Sequence, residues 1–290
     1  LQVVKNDLLA KVTSAYYNWL MIYEKREILL KLDSIYREFF NAAKLRFEIG
    51  ESNEMEKILA QSKYQQVMIS INENKADIYI AEMELKQLMN IDGEFIPADT
   101  VLIKLKLELD EHDTSAINQN PVLEYYKQSI NLQDALLKNQ KNRYWPDLSF
   151  GYFNMSINNT PGFQGWYLGL GIPVWLWSNA GRVQAAKIES QMAQNAYYEQ
   201  SVTMRLELEK LIHEYSKQSQ SLTFYEGTAL EQARILMKNA SVSYNSGDIN
   251  YIEFVQLSSE AINIIVNYLE SLDRYNQTVI RINHITGKYR

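Results

Sequence analysis

Residues 147–176 read DLSFGYFNMSINNTPGFQGWYLGLGIPVWL, two apolar, glycine-rich runs joined by Asn158-Asn159-Thr160-Pro161-Gly162. In the second run the even positions Trp166, Leu168, Leu170, Ile172, Val174 and Leu176 are all apolar, while the odd ones include Gly169, Gly171 and Pro173. A period of two marks a strand with one apolar face. In the first run Leu148, Phe150 and Tyr152 alternate with Ser149 and Gly151, then the phase shifts to Phe153, Met155 and Ile157. A bulge or bend near Tyr152 is expected there. Each run is about ten residues, the length of a tilted transmembrane strand. Aromatic residues gather at both ends, with Tyr144, Trp145, Trp175 and Trp177 at one and Phe163 and Trp166 at the other. Such girdles sit at membrane interfaces. The same residues also fit a soluble hairpin packed on helices, and this stretch alone favours neither.

Outward from the hairpin the pattern turns helical. Residues 1–49 hold no Pro or Gly and carry Val12, Ala15, Tyr16, Trp19, Leu20 and Tyr23 at helical spacing, which predicts one long amphipathic helix or two in succession. Gly50 interrupts, Glu51-Ser52-Asn53 supplies capping candidates, and a second helix is expected over 54–89, antiparallel to the first. Residues 90–120 change texture, with Asp92-Gly93, Pro97 and the alternation Ile103, Leu105, Leu107, Leu109, and read as an extended connector holding one short strand. Asn120-Pro121 opens a helix to about Asn142. After the hairpin, Ser178-Asn179-Ala180-Gly181 reads as a turn, followed by helix over 182–225 of roughly 65 Å. Gly227 marks a short break, Gly247 another, and a last helix reaches about Ile285.

Composition narrows the function classes. The chain has 290 residues, 46% of them apolar, and a formal charge of -6 without a basic patch, which argues against a nucleic-acid partner. Without Cys there is no disulfide, thiolate zinc site or Cys nucleophile. His112, His213 and His284 stand far apart without ligand spacing, and Met55, Met83, Met89, Met192, Met204 and Met237 lie in helical periods where packing is the plainer role. Gly169-Leu170-Gly171 lacks the remaining parts of a nucleotide loop. No cofactor, metal site or catalytic constellation is expected, so an enzyme ranks last among the readings.

The chain also repeats itself. Arg46-Phe47-Glu48-Ile49-Gly50-Glu51-Ser52-Asn53 matches Ser243-Tyr244-Asn245-Ser246-Gly247-Asp248-Ile249-Asn250, with an aromatic three residues before Gly, an acid straight after it, and Glu56 and Glu253 six residues beyond. Duplication of a helix, Gly turn, helix unit is the simplest account. Chance likeness of two amphipathic segments is the alternative.

Pro146-Asp147-Leu148-Ser149 opening the hairpin, Gly171-Ile172-Pro173-Val174 followed by Gly181-Arg182 and a long helix, the aromatic-x-x-Gly turns, and Tyr268-Leu269-Glu270-Ser271-Leu272-Asp273-Arg274-Tyr275-Asn276-Gln277 together resemble the TolC-type outer-membrane efflux proteins, most of all their heavy-metal efflux branch. The resemblance implies a mainly α protein, with long antiparallel helices of a periplasmic α-barrel, a transmembrane β-hairpin and a tandem repeat. Residues 1–90 would be a first-repeat helical hairpin lacking its β-hairpin, expected ahead of Leu1; 91–120 the connector; and 121–290 the second repeat, with its hairpin at about 147–176. It further implies a homotrimer in outer-membrane lipid, docked to a periplasmic adaptor (a membrane fusion protein) and a resistance-nodulation-division inner-membrane pump, conducting metal ions or small toxic compounds passively.

Residue by residue, the resemblance puts Gly50 and Gly247 at the periplasmic tip and Glu253 at the tunnel entrance, with Glu56 as its counterpart. Symmetry copies of such a carboxylate would favour cations and raise one another's proton affinity. Tyr244 falls where an aromatic latches the closed entrance, whereas Ile249 replaces the Arg of that latch and Gln256 a second entrance acid. Trp145, Phe150, Tyr152, Trp166, Leu168, Leu170, Trp175 and Trp177 would form the membrane strands and girdles. The rival reading is a non-channel periplasmic coiled-coil adaptor or structural protein, which would have no use for two girdled, membrane-length strands.

Overall fold

The computed structural model describes residues 1–93, 97, 99, 101–107, 114–157, 160–172 and 176–289. They divide into two units, residues 1–116 with 206–290, and residues 117–205.

In the first unit α1 (Gln2–Glu48) is a single helix, consistent with a run free of Pro and Gly, and turns through Gly50 into α2 (Glu54–Met89). Helix α5 (Leu230–Ser246) turns in the same way through Gly247 into α6 (Tyr251–Ile285). Helix α1 packs along both α2 and α6. Near the turns, Leu29, Tyr36 and Ala43 of α1 meet Ala60, Val67 and Ile71 of α2, Ala240 of α5, and Tyr251, Phe254, Val255 and Ile262 of α6. Ala43 and Ala240 stand at matching places ahead of their turn glycines, both buried, where a small side chain lets helices approach closely. Further from the turns, Leu20 and Leu222 meet Leu269, Leu272, Tyr275 and Val279, joined by Leu102 of the connector.

The second unit begins with α3 (Pro121–Asn142), started by Asn120, whose Oδ1 accepts from the Val122 N–H at 2.7 Å, with Pro121 in the first turn. Strands β1 (Asp147–Ile157) and β2 (Thr160–Gly171) pair antiparallel. Helix α4 (Leu176–Phe224) follows; the Ser190 hydroxyl of α4 donates to Asp134 Oδ1 of α3 at 2.6 Å.

Four details differ from expectation. Ser178 to Gly181 lies inside α4 rather than in a turn; Asn179 Nδ2 donates to the Arg143 carbonyl at 3.4 Å. Gly227 does not end a helix: Tyr225–Ala229 is a π-helical turn that carries α4 into α5. Residues 101–107 form no strand, because their polar backbone finds side chains instead; the Leu102 N–H donates to Glu24 Oε2 at 2.7 Å and the Leu105 N–H to Asn276 Oδ1 at 2.8 Å. Leu109 lies outside the described residues.

The fourth concerns the hairpin. Its register is unbroken from Asp147↔Gly171 to Met155↔Phe163 and shifts only between Met155 and Ile157, so no bulge lies at Tyr152. The change of apolar phase has another cause. The Phe153 ring lies over Gly165, where an added Cβ would meet Cζ at 2.6 Å, and the Tyr167 ring covers Gly151. Aromatic rings thus fill the space above cross-strand glycines on the face that otherwise carries small residues. Strand β2 ends at Gly171, and Leu176 begins α4.

Candidate functional site

The two glycine turns share one hydrogen-bond plan. Gly50 (φ 78°) and Gly247 (φ 82°) take the left-handed conformation that glycine adopts without penalty. The N–H of Glu51 donates to the Arg46 carbonyl at 2.8 Å, and that of Asp248 to the Ser243 carbonyl at 2.8 Å; each glycine N–H donates to the backbone carbonyl of its matching aromatic residue, Phe47 or Tyr244, at 3.1 Å. Asn53 and Asn250 then cap the following helices, their Oδ1 atoms accepting from the Glu56 N–H at 2.9 Å and the Glu253 N–H at 3.0 Å.

The two glutamates part company beyond the cap. Glu253 folds back on its own turn, its Oε2 accepting from the Asn250 N–H at 3.1 Å and closing a capping box. Glu56 reaches sideways instead, accepting from the Ser52 hydroxyl at 2.8 Å and pairing with Arg46 at 3.3 Å. Arg46 joins the tip through this pair, a role that the sequence pattern alone does not assign to it. The signal for it was an Arg ahead of the turn and a Glu beyond it, across a Gly that brings the two helix ends together.

Tyr244 packs among aromatics of its own chain, with ring centroids 5.3 Å from Phe39, 5.2 Å from Phe254 and 6.3 Å from Tyr251. Burial pushes the Tyr251 hydroxyl well above its ordinary value, with Tyr36, Tyr244 and Glu56 adding to the shift, and among the described residues the hydroxyl has no hydrogen-bond partner. Burial also raises Tyr36, whose hydroxyl lies 2.8 Å from Ser259 Oγ. Gln256 shares one exposed face with Asp248, Glu253 and Glu260.

On the hairpin, Leu148, Phe150 and Tyr152 face Leu170, Leu168 and Trp166 in register. The Phe150 and Trp166 rings stack at 5.2 Å. This face is bare: Leu148 is 82% exposed, Leu168 83% and Trp166 67%. A two-stranded sheet is marginal on its own in water, and each apolar side chain left uncovered forgoes about 1.5–3 kcal/mol. Trp145 is exposed beside the first strand. Trp175 lies outside the described residues, as do Asn158 and Asn159 of the turn, and of Trp177 only the helical backbone is described.

No helix among the described residues is long and apolar enough to cross a membrane, which says nothing of strands. Among the same residues no group of His, Cys, Asp and Glu is arranged to hold a metal ion. His284 Nε2 lies 2.6 Å from Asp7 Oδ1, joining the end of α6 to the start of α1; His112 lies outside the described residues.

No family profile matches the chain. The cobalt-zinc-cadmium resistance protein CzcC of Cupriavidus metallidurans is 20% identical to it, across 98% of this chain and 69% of that protein. Among solved structures, CusC, described for its transmembrane channel formation, matches with a TM-score of 0.84 at 16% identity over 98% of this chain and 69% of its own. The open-state outer-membrane channel MtrE of Neisseria gonorrhoeae gives 0.82 at 13% identity over 99% and 67%. The outer-membrane channel CmeC of Campylobacter jejuni gives 0.78 at 16% identity over 99% of this chain and 63% of that one. The chain thus spans about two thirds of the length of these relatives. The mainly α fold with one β-hairpin, expected from the sequence, holds.

Proposed function

Since the fold is that of the TolC-type outer-membrane efflux proteins, we propose that this chain forms part of an outer-membrane exit duct, with its hairpin in the bilayer and its helices extending into the periplasm. The duct conducts passively what an inner-membrane pump of the resistance-nodulation-division type delivers through a periplasmic adaptor. The duct is a trimer, to which each protomer contributes one copy of this chain. The observation that carries this reading is the bare apolar face of β1 and β2, on which Leu148, Phe150, Trp166, Leu168 and Leu170 are all exposed. Lipid would cover such a face.

Metal cations are the proposed cargo, a choice supported by the likeness to a cobalt-zinc-cadmium resistance protein. No bond is made or broken by the chain in this reading. The Gly50 and Gly247 turns form the docking tip, and Glu253, Glu56, Gln256 and Tyr244 surround the entrance. The test is fractionation of the source cell's membranes with an antibody to the connector. A heat-dissociable trimer in the outer-membrane fraction is the expected result. A soluble periplasmic monomer would overturn the duct and leave the adaptor reading.

A further inference from the structure

The π-helical turn Tyr225–Ala229 falls where the core of the first unit changes. Leu222, just ahead of it, packs with Leu102, Leu269, Leu272, Tyr275 and Val279. Ala240, beyond it, packs with the residues around the glycine turns. A π turn interrupts the regular hydrogen-bond ladder, and such interruptions let a helix bend or rewind. Ala229 of the turn is buried and the Tyr225 ring lies 6.2 Å from that of Tyr268, whereas at Gly227 no heavy atom lies within 4 Å of where a Cβ would stand, so the turn is packed at its ends and open at Gly227.

An ion pair holds it as well. Lys104 Nζ lies 2.9 Å from Glu226 Oε2, and the same ammonium stands 5.4 Å from the centre of the Tyr275 ring. The segment that carries Lys104 is itself anchored, since Asn276 bonds the backbone on both sides of it, at Ile103 and Leu105, and Glu24 accepts from Leu102. A fixed strap therefore presents the Lys104 ammonium to the one carboxylate of the π turn. With side chains 38% and 37% exposed, the pair is open to screening by salt.

We infer that the π turn is a pivot for α5 and that Lys104 and Glu226 are its catch, so that ionic strength sets how freely α5, and the Gly247 turn at its end, can tilt. The pivot does not depend on the chain being a duct.

The test uses the full-length protein with spin labels at Glu38→Cys on α1 and Lys238→Cys on α5, both exposed. Pulsed dipolar spectroscopy is run at low and at high salt. A narrow distance distribution at low salt that broadens at high salt is expected. Lys104→Gln should be broad at both, and Lys104→Glu combined with Glu226→Lys should restore the narrow form at low salt. Hydrogen exchange separates a pivot from general loosening: Lys104→Gln should speed exchange about 2- to 5-fold over 225–233 and leave 236–246 unchanged. A wild-type distribution indifferent to salt overturns the pivot, and this measurement needs no change at the catch. So does a Lys104→Gln distribution equal to wild type at low salt, a failed charge swap, or faster exchange along all of α5.

Discussion

Asn276 stands in for a β-strand at Leu105. Its Oδ1 accepts from the Leu105 N–H at 2.8 Å while its Nδ2 donates to the Ile103 carbonyl at 2.8 Å, and the side chain is 0% exposed. One amide thus satisfies both backbone directions of an extended segment that, among the described residues, has no strand beside it. Asn276→Ala would leave two backbone groups without a partner and should destabilise the fold by about 2–4 kcal/mol. Denaturant or thermal melts in detergent would show it. An unchanged melt would mean that water replaces the amide at no cost.

The two kinds of glycine in the long helices should respond in opposite ways to a methyl group. Gly247 has φ 82° and open space around it, so Gly247→Ala meets backbone strain alone and should lose about 1 kcal/mol. Gly227 also has open space but no positive φ. Gly227→Ala should be neutral or should stabilise by up to about 1 kcal/mol, because it only removes freedom from the unfolded chain. Paired melts of the two variants check the contrast, and equal losses would contradict it.

These glycines also show what could and could not be read from the sequence. A cap within Glu51-Ser52-Asn53, the turn at Gly50 and the start at Asn120-Pro121 rest on residues with local preferences, and the expected ranges of α2 and α3 match the observed Glu54–Met89, capped by Asn53, and Pro121–Asn142. Gly227 and Gly181 carry the same local signal, yet both lie in continuing helical backbone, because an open site on a helix tolerates a glycine. The connector misled for a different reason. Its alternation of Ile103, Leu105 and Leu107 fits a strand, but the groups that satisfy its backbone are side chains distant in sequence, Asn276 and Glu24. On the hairpin, the phase shift at Phe153 encoded a ring laid over Gly165, a cross-strand relation that needs the register to be known.

Asp273 makes a prediction about pH. Burial raises its carboxyl above the ordinary value of 3.8, while the bond from Gln277 Nε2 at 3.2 Å and the charge of Arg274 pull the other way. The folded state therefore holds the proton more tightly than the unfolded one, and this group's contribution falls as pH rises from the ordinary value through the raised one. Above that window the penalty is constant. Asp273→Asn keeps an acceptor for Gln277 and removes the charge, so it should stabilise the protein at neutral pH and lose that advantage below the ordinary carboxylate range. Melts of both forms across pH 3–8 would test the sign, and a variant weaker than wild type at pH 7 would reverse it.

Glu253 permits a separation of charge from structure at the proposed entrance. Its carboxylate closes the capping box on Asn250, and a glutamine can make the same bond. Glu253→Gln should leave the melt within about 0.5 kcal/mol of wild type while reducing cation preference or divalent block in planar-bilayer conductance. Glu253→Ala should lose the box as well, at about 1 kcal/mol, with the same electrical change. Glu56→Gln offers the comparison in the other repeat, where the carboxylate is paired with Arg46 rather than held by the cap alone. A pair already neutralised contributes less field to a pore, so the electrical effect of Glu56→Gln should be the smaller. If Glu253→Gln conducts as wild type does, the carboxylate is a helix cap only, and the entrance charge must come from Asp248 or Glu260 on the same face.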